Sequence, residues 1–228
     1  MKTQYFITGT NTDIGKTFIT AGLAKLSASL DLDTAVMKPI QTGTAEYESD
    51  LSVIRSLVPE LVVNDKELIS PYEFRLGASP HLAAREAGEL IEPKVIVDAY
   101  QKLLATGVDT LLVEGAGGIY VPIVDDYTML DLMKDLGIPV IIVGTVELGS
   151  INHALLSINA LKNAGLDIAG IVLNKVPQKP SLIEQDNIET IQKLGNVPLL
   201  GVINTLDNPS ADSLFTQINT SDFHNLFT

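Results

Sequence analysis

Residues 9–17, "GTNTDIGKT", end in Gly15-Lys16-Thr17 directly behind the apolar run "YFIT", and five residues separate Gly9 from Gly15. Glycines at both ends let backbone amides curl around a phosphate, a lysine neutralises its outer oxygens, and a threonine hydroxyl at a helix start can ligate Mg²⁺. Three further stretches carry chemistry. "KPIQTG" sets Lys38 behind the apolar "TAVM" and offers the Thr42 hydroxyl and Gly43 backbone. "VEGAGG" places Glu114 after "TLLV", with Gly115, Gly117 and Gly118 allowing a ligand close to the chain. A hard Mg²⁺ ion prefers oxygen donors and keeps waters and substrate phosphates, so Glu114 reads either as its carboxylate or as a turn cap. "LNK" ends a fourth apolar run at Asn174 and Lys175.

Such residues need elements to hold them. Six almost continuously apolar runs read as strands: 4–8, 34–40, 109–115, 139–145, 168–175 and 197–203. Apolar residues at three- and four-residue spacing read as helices over 16–30, 93–106, 152–165 and 183–195. Their alternation predicts right-handed crossovers, hence an α/β fold: one domain built on a doubly wound, mainly parallel sheet. Ligands of such sheets bind beyond the carboxyl ends of the strands, where all four motifs fall. Residues 44–92, acidic and proline-containing, break the alternation and read as an insertion near the ligand crevice. Within it Asp50 is either a site carboxylate or, with Glu46 and Glu48, part of a solvated face.

Composition narrows the partners. The chain has 228 residues, 46% of them hydrophobic and 19% charged, enough to bury a core. A formal net charge of −13 with no basic cluster predicts that nucleic acid is not a partner. The apolar stretch 137–146 is far short of the roughly 20 residues needed to span a bilayer. The start "MKTQYFITGT" runs straight into the loop motif and predicts no signal peptide, so a cytoplasmic protein with no membrane partner is expected. The chain has no cysteine, which excludes disulfides and thiolate catalysis.

In their order and spacing, "GTNTDIGKT", "KPIQTG", "VEGAGGIYVPI", "ELGSINHALL" and "GIVLNKV" closely resemble the dethiobiotin synthetase family over residues 4 to about 209, and the extra loop residue is that family's usual form of the P-loop. The resemblance implies an ATP- and Mg²⁺-dependent enzyme of biotin synthesis that closes a ureido ring on 7,8-diaminopelargonic acid with CO2, generally as a homodimer. It implies that Asp13, Ile14, Gly15, Lys16, Thr17 and Phe18 form the ATP loop, with Thr17, Asp50 and Glu114 around Mg²⁺. Lys38 is then the catalytic lysine beside Lys16, and Thr42 touches the diamine. Gly115, Ala116, Gly117 and Lys175 line the nucleotide site, while Asn174 reads the adenine. Gly149, Ser150, Ile151 and Asn152 would hold the substrate carboxylate across the dimer interface. "GVINTLDNP" is one residue shorter than a common family form, "GEIPWLAENP", and lacks its Pro-Trp pair; Asn204, Thr205, Leu206 and Asp207 are still expected at the nucleotide. His153 is expected to pack its helix rather than act as a base.

A partitioning-type switch ATPase would share the fold, but its loop carries a lysine where Asn11 stands. A glutamine-dependent amide synthetase would need a glutaminase nucleophile, commonly cysteine. An inert relative would leave Lys16, Thr17 and Glu114 together without a purpose.

Overall fold

The computed structural model describes residues 2–206 and 210–228. Strand β1 (Thr3–Gly9) runs into helix α1 (Lys16–Ser29) through the glycine loop, and the chain returns along β2 (Thr34–Met37). The 44–92 region then supplies structure of its own: β3 (Ile40–Thr42), just before it, pairs in parallel with β4 (Tyr72–Phe74), α4 (Pro80–Ala87) packs on this ribbon, and α2 (Asp50–Leu57) and α3 (Lys66–Ile69) pack on α1 and β2 respectively. Helix α5 (Pro93–Ala105) leads into β5 (Thr110–Gly118). A hairpin, β6 (Pro122–Val124) and β7 (Tyr127–Thr128), turns into α6 (Met129–Leu136). Next come β8 (Val140–Gly144), α7 (Ser150–Asn163), β9 (Ile168–Val176), α8 (Leu182–Gly195) and β10 (Leu199–Asn204). Two short helices, α9 (Ala211–Ile218) and α10 (Ser221–His224), close the chain.

The main sheet has six strands in the order β10-β9-β8-β1-β5-β2, and every neighbouring pair is parallel. This is the doubly wound arrangement expected from the alternation of apolar runs and amphipathic helices. Strands buried on both faces need apolar residues at every position, and β8 (VIIVG) is buried throughout. The strand order reverses beside β1, so the loop that follows β1 opens into the crevice at the switch point.

Register then aligns the chemistry. Ile7 of β1 lies opposite Glu114 of β5, and Met37 of β2 lies opposite Val113, which brings Lys38 level with Glu114. Two strand expectations are corrected. The 34–40 run is not one strand: it leaves the main sheet after Met37, because Pro39 has no N–H to donate to a ladder, and resumes as β3 in the separate ribbon. β5 runs past Glu114 to Gly118, so Glu114 sits inside the strand and is fully buried. Helices α6, α9 and α10 were not legible, being no more than eight residues long. No described helix is long and apolar enough to cross a membrane.

Candidate active site

Two adjoining cavities lie at the carboxyl end of the sheet. The larger, about 470 Å³, is lined by Asp13, Gly15, Lys16, Thr17 and Phe18 of the glycine loop, Lys38, Thr42, Asp50, Glu114, Ala116, Gly117 and Lys175. The smaller, about 280 Å³, is lined by Asn174, Lys175, Asn204, Thr205, Leu206, Ile203 and Leu214. Both share Gly15, Phe18 and Lys175, so one elongated ligand can occupy the two together. A third crevice, at Lys134 and Asp167, lies before β8 and β9 at the opposite end of the sheet and includes none of the expected site residues.

The glycine loop is built for an anion. Gly15 precedes α1 with φ 90° and no side chain caps the helix, leaving its first amides free toward the loop. A Cβ on Gly15 would come within 2.1 Å of Asn174 Nδ2, so only glycine allows this approach. Asn174 Nδ2 donates to Ile14 O at 2.8 Å, tying the loop to the end of β9. The Ile14 side chain is buried, and the residue contributes its backbone. Lys175 extends its ammonium to the Asp13 carbonyl; Asp13 and Lys175 both hold left-handed backbones, φ 56° and 57°. Lys16, 7% exposed, folds back on the loop and donates to Asn11 O at 2.9 Å. Burial, followed by the nearby Lys38 charge, lowers its pKa from 10.5 to about 8.

A buried ion cluster stands beside it. Lys38 Nζ lies 2.6 Å from Asp50 Oδ2 and 2.7 Å from Glu114 Oε1, and it donates to Gly115 O at 3.1 Å. Burial by itself would lower the Lys38 pKa, but the Glu114 and Asp50 carboxylates outweigh it and raise the value. Burial likewise pushes Asp50 up, and the Lys38 ammonium more than reverses this, holding the carboxyl below its usual range. Thr17 Oγ1 lies 3.0 Å from Asp50 Oδ1 and 3.1 Å from Glu114 Oε1. Glu114 Oε2 is buried with no partner. A buried carboxylate oxygen left unpaired is costly, and a cation among these three side chains would satisfy it. Among the described residues no group of three His, Cys, Asp or Glu side chains converges, so the protein donors are two carboxylates and a hydroxyl. That set suits a Mg²⁺ ion that also takes water and phosphate oxygens.

Asp50 reaches the cluster through local folding. It is the first residue of α2; Ser49 caps the helix by accepting from Ser52 N, and Asp50 N donates to Gln41 Oε1 at 3.0 Å. Gln41 is a cavity residue that the sequence reading missed, as are Thr12, Tyr47, Glu48 and Val53. A glutamine ending an apolar strand run, and a tyrosine inside an acidic loop, were the available signals.

Not every expected residue joins the cavities. Gly115 meets Lys38 through its carbonyl but is itself buried. Gly149, Ser150, Ile151 and Asn152 lie at the start of α7 and line neither cavity. There Gly149 holds φ 98°, no side chain caps the helix, and the buried Ser150 Oγ has no partner. His153 is exposed, against the expectation that it packs its helix. Asp207 lies outside the described residues.

Comparison with known proteins decides the family. A family model described as an AAA domain matches residues 3–212. An ATP-dependent dethiobiotin synthetase of Halalkalibacterium halodurans is 38% identical over 88% of this chain and 84% of its own length. Proteins of the same name from Anoxybacillus flavithermus and Pseudomonas paraeruginosa are 39% and 40% identical, covering 90% and 86% of this chain and 92% and 87% of theirs. The chain belongs to the ATP-dependent dethiobiotin synthetases. Among solved structures, a ParA family ATPase of Chlorobium tepidum superposes with TM-score 0.56 over 100% of this chain and 98% of that one, at 19% identity. The Aquifex aeolicus cell division protein MinD gives 0.58 over 99% and 94%, at 15% identity. At such identities the likeness shows the fold alone.

Proposed function

We propose that this chain performs the reaction of its family, ATP-dependent dethiobiotin synthesis in biotin biosynthesis, at the cluster of Lys16, Thr17, Lys38, Asp50 and Glu114. The observation that carries this reading is the Lys38 ammonium seated between two carboxylates beside the glycine loop. The substrates are 7,8-diaminopelargonic acid and CO2 together with ATP. One amine attacks CO2 and loses a proton, giving a carbamate. The carbamate oxygen takes the terminal phosphoryl group of ATP, releasing ADP and leaving a carbamic-phosphoric anhydride. The neighbouring amine attacks its carbonyl and loses a proton, phosphate leaves, and the ureido ring closes.

Electrostatics is the obstacle, because carbamate and triphosphate are both anions. Lys16 and the free amides of α1 hold the outer phosphates, and Lys38 stands where the carbamate must approach them. Thr17, Asp50 and Glu114 would hold Mg²⁺, which supplies further charge neutralisation at the phosphates. The ring closure needs no enzyme nucleophile, since the second amine is tethered to the first and positioning supplies much of the rate. Thr42 reaches the amines. Asn174, Lys175, Asn204, Thr205 and Leu206 enclose the base in the smaller cavity, and Phe18 and Gly15 join base to phosphates.

The substrate carboxylate falls to the start of α7, with its free amides and unpartnered Ser150 hydroxyl. Because those residues line neither cavity of their own chain, the anchor comes from a second protomer of a homodimer. Leu148, 88% exposed beside that helix start, supports an interface there.

The deciding experiment supplies purified protein with ATP, Mg²⁺ and bicarbonate, with and without the diamine, following ADP release while mass spectrometry follows the organic product. The expected result is ADP formed in step with a dethiobiotin mass. Hydrolysis indifferent to the diamine would overturn the synthetase reading while leaving the nucleotide site standing.

A further inference from the structure

We infer that Gln217, on α9 and lining neither of the two site cavities, is a positioning residue that holds the nucleotide-base wall in place. The inference rests on reading the smaller cavity as the base site. β10 is the edge strand of the main sheet, with β9 on one side only. An edge strand leaves a row of unpaired backbone groups, free to fray or to pair wrongly. On its inner side the strand's end is secured by Thr205 N, which donates to Val176 O at 2.8 Å. Alternation of the backbone points the N–H and C=O of Asn204 the other way, off the sheet.

There Gln217 takes the place of a missing neighbour strand. Asn204 N donates to Gln217 Oε1 at 2.6 Å, and Gln217 Nε2 donates to Asn204 O at 3.3 Å. A primary carboxamide carries one acceptor and one donor side by side, the pair that a backbone edge presents, so it caps the edge at one residue. Asn204 is one of four consecutive residues, with Ile203, Thr205 and Leu206, that wall the smaller cavity. One turn earlier on the same helix face, Leu214 lines that cavity directly. Helix α9 is itself anchored, since Ile218 packs against Gly22 of α1, the helix that begins at the glycine loop. Gln217 thereby ties the base wall to the element that binds the phosphates.

The test uses Gln217→Met, which keeps length and helix propensity but has no amide, and Gln217→Ala as a second variant. Binding of ADP and of inorganic tripolyphosphate is measured by calorimetry on the intact protein, after circular dichroism has confirmed folding. Losing two hydrogen bonds to one backbone residue is expected to weaken ADP roughly tenfold, with tripolyphosphate, which has no base, unchanged. KM for ATP should rise by a similar factor with kcat held. ADP affinity within twofold of the parent in either folded variant would overturn the inference, as would an equal loss for both ligands, which would mark a general loosening. Parent protein that binds ADP no more tightly than tripolyphosphate would instead sink the base-site reading itself.

Discussion

At the scale of single residues, Lys38 and Lys16 have opposite surroundings and different expected behaviour. Replacing Lys38 with Gln leaves Glu114 and Asp50 facing one another without their shared ammonium. Turnover should fall at least ~100-fold, the loss typical of removing one positioned donor from a transition state. Unpairing the fully buried Glu114 carboxylate should also cost roughly 3 kcal/mol, read as a lowered thermal midpoint that Mg²⁺ with nucleotide partly restores. Near-normal kinetics in the folded variant would remove Lys38 from the mechanism. Lys16 supplies a pH dependence. Its folded pKa of about 8 lies below the ordinary 10.5, so between those values the unfolded chain binds more protons than the folded one. This group therefore favours folding more as pH rises through that window, and costs stability below it. Phosphate binding has the opposite sign, because an anion stabilises the ammonium. Nucleotide should bind with proton uptake near pH 9 and with affinity declining above pH about 8; calorimetry in buffers of different ionisation enthalpy measures this, and uptake of no protons would count against it.

Elements decide whether those residues meet. Asp50 stands in an acidic stretch whose sequence suits a solvated surface, yet the first turn of α2 points it at Lys38 and Thr17. That turn depends on the Ser49 cap and on the Gln41 amide. Ser49→Ala should cost about 1 kcal/mol of stability and raise the Mg²⁺ concentration for half-maximal activity several-fold, while leaving tripolyphosphate binding without Mg²⁺ unchanged. A titration in Mg²⁺ separates these effects; an unchanged metal requirement would show that the cap does not govern Asp50. The break in the 34–40 run belongs to the same scale.

For the whole molecule, the proposed homodimer is the quantity to measure. Leu148 and Leu182 are 88% and 81% exposed, and Asn187 of α8 donates to Val146 O at 2.7 Å, holding the loop before α7 against the helix that carries Leu182. Sedimentation equilibrium should give twice the chain mass of 24.5 kDa. Leu148→Glu should shift the protein toward monomer and raise KM for the diamine far more than KM for ATP, because only the carboxylate anchor would come from the second protomer. A fully active monomer would refute that arrangement.

The doubly wound parallel sheet was legible in residue order alone, because a strand covered on both faces must be apolar throughout and its crossover helices must be amphipathic. The loop from Gly9 to Thr17 was legible too, since phosphate binding imposes glycine, lysine and hydroxyl at fixed local spacing. What tertiary structure decided was every relation between distant segments. Lys38 and Glu114 are 76 residues apart and meet because β2 and β5 pair in register. Gln41 was invisible as the partner of the Asp50 amide, and Gln217 as the partner of the Asn204 backbone at the edge of β10, because a side-chain amide announces nothing locally about the backbone it will pair with. Local pattern records what each segment must bury; which polar groups those segments then bring together is settled only when the sheet fixes their positions.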